Sequence, residues 1–128
     1  MVNGVKKGYY LNIAGGRAVK SILMAEDIAR IMPALVKKGG VYNVCDTFQP
    51  TFGQISESVA NQLGKRKPMS IPMWMAKCMA FVGDFLGSKV PINSYKLEKM
   101  TKNLTFSNEK ARKELGWEPL DVLTNYKI

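Results

Sequence analysis

The stretch GGVYNVCD, residues 39–46, decides how the rest of the chain is read. Val41 to Asp46 is a nearly unbroken β-prone run behind two turn glycines, the pattern of a strand buried on both faces in a parallel sheet. Such a strand needs neighbours. The prediction is therefore an α/β chain, mixed α+β in isolation, with helices, a few short strands and an incomplete parallel sheet.

Upstream, the aromatic-rich YYLNI (9–13) predicts a short strand, AGGR (14–17) a glycine turn, and Val19 to Met24 a second extended piece. In EDIARIMPALVKKGG, Ile28, Ile31, Met32 and Leu35 recur at helical spacing, so an amphipathic helix is predicted between the acidic entry at Glu26 and Asp27 and the stop at Gly39. Pro33 removes a backbone donor and is expected to kink or divide it.

Downstream, TFGQISESVANQLG carries a capping box at Thr51 and Gln54, an inner face of Ile55, Val59 and Leu63, and Gly64 to close the helix. The basic link KRKP leads into MSIP, read as one more short strand. Residues 73–87, MWMAKCMAFVGDFLG, are apolar nearly all round and too short to span a bilayer. They predict a helix buried in the domain or docked in an interface, with an interfacial membrane helix as the alternative. A short helix over Ser94–Met100 and a brief extended LTF follow. The last helix is capped at Ser107 or Asn108, faces Ala111 and Leu115 inward and stops at Gly116, before an exposed-looking Trp117 and Pro119.

With 128 residues, 46% hydrophobic and 23% charged, the sequence supports one globular domain or a fragment of one. Nothing near Met1 reads as a signal peptide, and the expected compartment is the cytoplasm. Cys45 and Cys78 lack metal-site spacing and read as reduced core thiols. The absence of histidine excludes Ser-His and Cys-His mechanisms, and no metal site is expected. A net charge of +9 favours an anionic partner.

Four stretches, GGRAVKSILMAEDIAR (15–30), GGVYNVCD (39–46), PTFGQISESVANQLGK (50–65) and FSNEKARKELGWEP (106–119), together resemble the C-terminal part of the extended short-chain dehydrogenase/reductase family, in its NAD-dependent nucleotide-sugar epimerase/dehydratase branch. The resemblance runs from about Gly8 to the end. It implies the C-terminal portion of a Rossmann-type fold, with residues 8–46 ending the nucleotide-binding sheet and 47–128 forming a substrate-binding lobe. It also implies a nucleotide-sugar diphosphate as partner, and NAD(P) as the cofactor of a complete relative.

The chain lacks the family's Gly-rich dinucleotide turn, so no cofactor-binding residues are assigned. Tyr95 and Lys99 match the spacing of the catalytic Tyr-Lys pair, but they fall in the lobe and read as solvated surface. No catalytic residue is assigned and the chain alone is expected to be inactive. In the resemblance, Lys20 stands where the family places an Arg for the diphosphate, seven positions before Asp27, which itself reads as a helix cap. Arg17, Ser21 and Asn43 complete the candidate substrate-binding set.

Two other classes compete. A basic nucleic-acid-binding module is invited by 19 Lys and Arg, yet these are scattered without aromatic interleaving, and no nucleic acid is expected. Peripheral membrane binding through residues 73–87, flanked by Lys65, Arg66 and Lys67, is the other. The strand at 41–46, short of partners, also suggests a homo-oligomer or an aggregation-prone monomer.

Overall fold

A computed structural model describes residues 1–86 and 93–128. The fold is mixed and helix-dominated with one small parallel sheet, an α/β arrangement in the general sense. Its elements, in chain order, are α1 (Val2–Lys6), β1 (Asn12–Ile13), a 3-10 turn (Ala14–Gly16), α2 (Ala25–Lys38), α3 (Phe52–Gln62), β2 (Ser70–Ile71), α4 (Met73–Leu86), α5 (Ser94–Thr101), α6 (Glu109–Leu115) and α7 (Val122–Asn125). They fall into two compact units, each assembled from separated stretches of chain.

The first unit comprises Met1–Val19, Thr51–Asn103 and Ile128. Strands β1 and β2, within the two stretches expected to be short strands, pair in parallel, Asn12 with Ser70 and Ile13 with Ile71. One core joins Ile13 to Ala76, Ala80 and Leu97, and another joins Val5 to Val59 and Ala60. The predicted capping box of α3 is present: Thr51 Oγ1 accepts from the Gln54 N–H, and the Gln54 side chain accepts from the Thr51 N–H. Beneath it, the buried Asn12 amide donates to Ser56 Oγ at 3.0 Å, and the Ser56 hydroxyl lies 2.9 Å from the Gly53 carbonyl, tying β1 to α3.

Helix α4, expected to be buried in the domain or docked in an interface, is buried on one face: among the described residues Ala76, Ala80 and Gly83 are inside, Met73 packs half-buried against the core, and Trp74, Phe81, Val82 and Phe85 are exposed. Small residues let the α4 backbone approach α5 closely, so the tight packing uses the alanine side of the helix. Cys78, predicted as a core thiol, is consequently exposed. Gly87, the last residue of the predicted helix, lies outside the described residues.

The second unit comprises Lys20–Pro50 and Leu104–Lys127. Helix α2 is a single 14-residue element that runs through Pro33. Ala29, whose carbonyl the missing N–H would have served, is exposed, as is Pro33, so water can satisfy that group. The buried face is turned from the predicted one. Ile28 and Met32 are exposed, while Asp27 and Ile31 are buried.

The predicted strand at 41–46 is absent: the segment forms no ladder, and Val41 is 86% exposed. β propensity describes fitness for a half-buried pleated surface, and without a paired neighbour this run stays extended but unladdered. Trp117, which looked exposed in sequence, is 4% exposed and packs with Ile31 and Ala111. Gly116 ends α6 in the left-handed conformation (φ 63°, ψ 36°), which reverses the chain and lays the indole back onto the core.

Candidate functional site

The second unit contains a cleft of about 310 Å³ lined by Ser21–Leu23, Tyr42–Cys45 and Phe106. Three extended segments make it. The N–H of Ser21 donates to the Leu104 carbonyl at 2.8 Å, that of Phe106 donates to Ser21 Oγ at 2.8 Å, and that of Asp46 donates to the Ile22 carbonyl at 2.8 Å. The Phe106 carbonyl in turn accepts from the Gln49 amide at 2.7 Å and from the Cys45 thiol at 3.3 Å. Backbone donors in these irregular segments are thus served by specific long-range partners.

A second layer holds the lining from behind. The Cys45 carbonyl accepts from the Asn108 amide and from the Trp117 indole N–H, both at 2.9 Å. The Tyr42 hydroxyl donates to Glu114 Oε2 at 2.8 Å, and Lys110 Nζ stands 4.6 Å from the centre of its ring. The Glu114 carboxylate holds the phenol proton and lifts the Tyr42 pKa above the ordinary tyrosine value.

Of the four candidate residues, Ser21 and Asn43 line this one cleft. Lys20 belongs to the same unit, is half-buried, and fixes its backbone by donating to the Pro50 carbonyl at 3.1 Å. Arg17 belongs to the first unit, where it is exposed at the end of the 3-10 turn. Among the described residues, the lining is uncharged, with the Tyr42 hydroxyl and the Cys45 thiol as its titratable groups.

Asp27 does not cap α2 by the expected route. Its buried carboxylate accepts from the Leu120 N–H at 2.9 Å and from Arg30 at 2.7 Å. Asp46 accepts from the Val122 N–H at 2.9 Å. Sequence reasoning missed both roles; an Asp directly after the apolar run Val44-Cys45 was the available signal at 46, and none marked 27. The Tyr95–Lys99 pair is a surface contact, with Lys99 Nζ 4.4 Å from the centre of the Tyr95 ring.

The glycine turn after β1 packs tightly against the start of α3: a Cβ on Gly16 would stand 2.6 Å from the Gly53 nitrogen. The first unit also holds a larger cleft of about 480 Å³, lined by Val5, Gly8, Tyr10, Leu11 and residues 65–69. Lys65, Arg66 and Lys67 make it basic, with Lys67 paired to Glu57 at 2.7 Å. Burial raises the Tyr10 pKa beside it.

No family model and no curated protein matches the sequence. Solved structures similar to it include two longer proteins. The crystal structure of gox2253 aligns with a TM-score of 0.65 at 20% identity, over 93% of this chain and 38% of that one. The structure of a functionally unknown conserved protein from Silicibacter pomeroyi DSS aligns with a TM-score of 0.62 at 24% identity, over 91% and 38%. At these identities the likeness is one of fold, and the chain spans 38% of the length of each of these two proteins.

Proposed function

We propose that this chain is the substrate-binding part of an extended short-chain dehydrogenase/reductase of the NAD-dependent nucleotide-sugar epimerase/dehydratase type. The observation that carries the reading is the cleft in which Ser21 and Asn43 meet, with Lys20 directly before Ser21 in the chain. An uncharged lining with Tyr42 and Phe106 suits a sugar or base ring, and Lys20 supplies positive charge for the diphosphate without the bidentate fork of an arginine. The alignment with little more than a third of two longer proteins supports a part of a larger whole. Hydride chemistry and NAD(P) belong to the remainder of such an enzyme, so this chain binds nucleotide-sugar and does not turn it over.

The test is an amide chemical-shift titration with UDP-glucose, GDP-mannose, dTDP-glucose and inorganic pyrophosphate. Saturable shifts at Lys20, Ser21 and Asn43, weakened about tenfold by Lys20→Ala, are expected. The absence of shifts in this cleft at millimolar concentrations of all four probes overturns the reading. A salt-dependent mobility shift of DNA in their place would favour the basic nucleic-acid module instead.

A further inference from the structure

Helix α4 has its amphipathicity inverted in size. Ala76, Ala80 and Gly83 face the core, while Trp74, Phe81, Val82 and Phe85 face solvent, Trp74 at 67% and Phe85 at 79% exposure. At helical spacing these four outward side chains fall within an arc of about 100°. Phe81 and Phe85 stack edge to face, their centroids 5.0 Å apart, giving one continuous aromatic surface. A stripe of this composition is far from the scattered apolar residues of an ordinary surface.

Charge decides what covers it. Lys77 flanks the stripe together with Asp84, whose carboxylate is held by Ser94; the link leading into the helix supplies exposed Lys65, Arg66 and Lys67, the last paired to Glu57, and the chain carries +9 overall. Two copies each carrying +9 repel one another, whereas an anionic lipid surface attracts the chain as a whole and takes up the aromatic stripe. No helix among the described residues is long and apolar enough to cross a membrane, so the helix can only lie in the plane of the surface. We propose that α4 is an in-plane docking helix for anionic phospholipid, with Trp74, Phe81 and Phe85 entering the acyl boundary and Lys77 and the Lys65–Lys67 run meeting lipid phosphates.

The experiment is co-sedimentation of the full chain with phosphatidylcholine vesicles, with and without phosphatidylglycerol, at low and high salt. Binding confined to the anionic vesicles and weakened by salt is expected. Phe81→Ser/Phe85→Ser and Lys65→Gln/Arg66→Gln/Lys67→Gln should each lower it at least about tenfold. Brominated lipid should quench Trp74 in the unmodified chain, with Trp74→Phe removing that quenching; this readout stands even if the double serine variant fails to fold. Absence of binding to either vesicle overturns the proposal, and a dimer in light scattering that Phe81→Ser/Phe85→Ser dissolves would assign the stripe to a second copy. Vesicle binding that survives both sets of substitutions overturns it as well.

Discussion

Asp27 and Asp46 hold the same tail: Asp27 Oδ2 accepts from the Leu120 N–H and Asp46 Oδ2 from the Val122 N–H, each at 2.9 Å. Alternate main-chain donors after Pro119 therefore end on two buried carboxylates, which serve as sockets for a segment with no regular partner. Asp27→Asn and Asp46→Asn should each destabilise the second unit by about 1–3 kcal/mol, since a hydrogen bond to a charged acceptor is lost or weakened within a buried site. Hydrogen exchange checks the assignment, with Leu120 losing protection in the first variant and Val122 in the second.

Trp117 combines a packing role and a donor role that two substitutions separate. Trp117→Phe keeps most of the buried area and deletes the indole N–H, costing about 1 kcal/mol because the Cys45 carbonyl keeps the Asn108 amide. Trp117→Ala also opens a cavity against Ile31 and Ala111 and should cost about 3–5 kcal/mol. Urea denaturation of the two variants is the measurement, and equal costs would show that the hydrogen bond carries the effect.

Gly16 should be irreplaceable and Gly8 should not. Both have positive φ, but a Cβ on Gly16 meets Gly53 backbone at 2.6 Å whereas nothing stands within 4 Å of one on Gly8. Gly8→Ala should cost about 1–2 kcal/mol for conformation alone, and Gly16→Ala about 1–3 kcal/mol more. Thermal melts of the two variants side by side give the difference.

Acid should loosen the link between α4 and α5. Ser94 donates to Asp84 through both its hydroxyl and its N–H, and these bonds hold the Asp84 pKa below the ordinary carboxylate value. A depressed folded pKa means stability that is present above the unfolded value and lost as pH falls through the folded one. Carbon-detected titration should place Asp84 low in the unmodified chain, and Ser94→Ala should return it toward the ordinary range.

What was legible in sequence was local chemistry. The Thr51–Gln54 capping box, the Gly116 stop, the turn after β1 and the two short apolar strands each depend on residues within a few positions of one another. What was hidden depends on distance along the chain. Asp27 turns α2 toward itself because its partner lies 93 residues away, and no periodicity within the helix carries that information. In α4 nearly every position is apolar, so pattern could not say that the alanines would face inward. The run at 41–46 has the composition of a strand and lacks the ladder that would make it one. Helix α1, five residues with no side-chain cap, left no signal. Ser21 and Asn43, named as candidates from the sequence, both line the cleft, whereas the supporting Asn108, Gln49 and Trp117 contacts arise only from folding.

The second unit draws on Lys20–Pro50 and Leu104–Lys127, with all of residues 51–103 synthesised in between. During translation its earlier half must therefore wait with the Cys45 carbonyl unmet and the Asp27 and Asp46 carboxylates served only by Arg30 and the Phe48 N–H, exposed to chaperones and proteases until residues 104–127 emerge. A chain cut anywhere ahead of Trp117 would leave the Cys45 carbonyl without the indole N–H, and the Asp27 and Asp46 carboxylates without the Leu120 and Val122 donors.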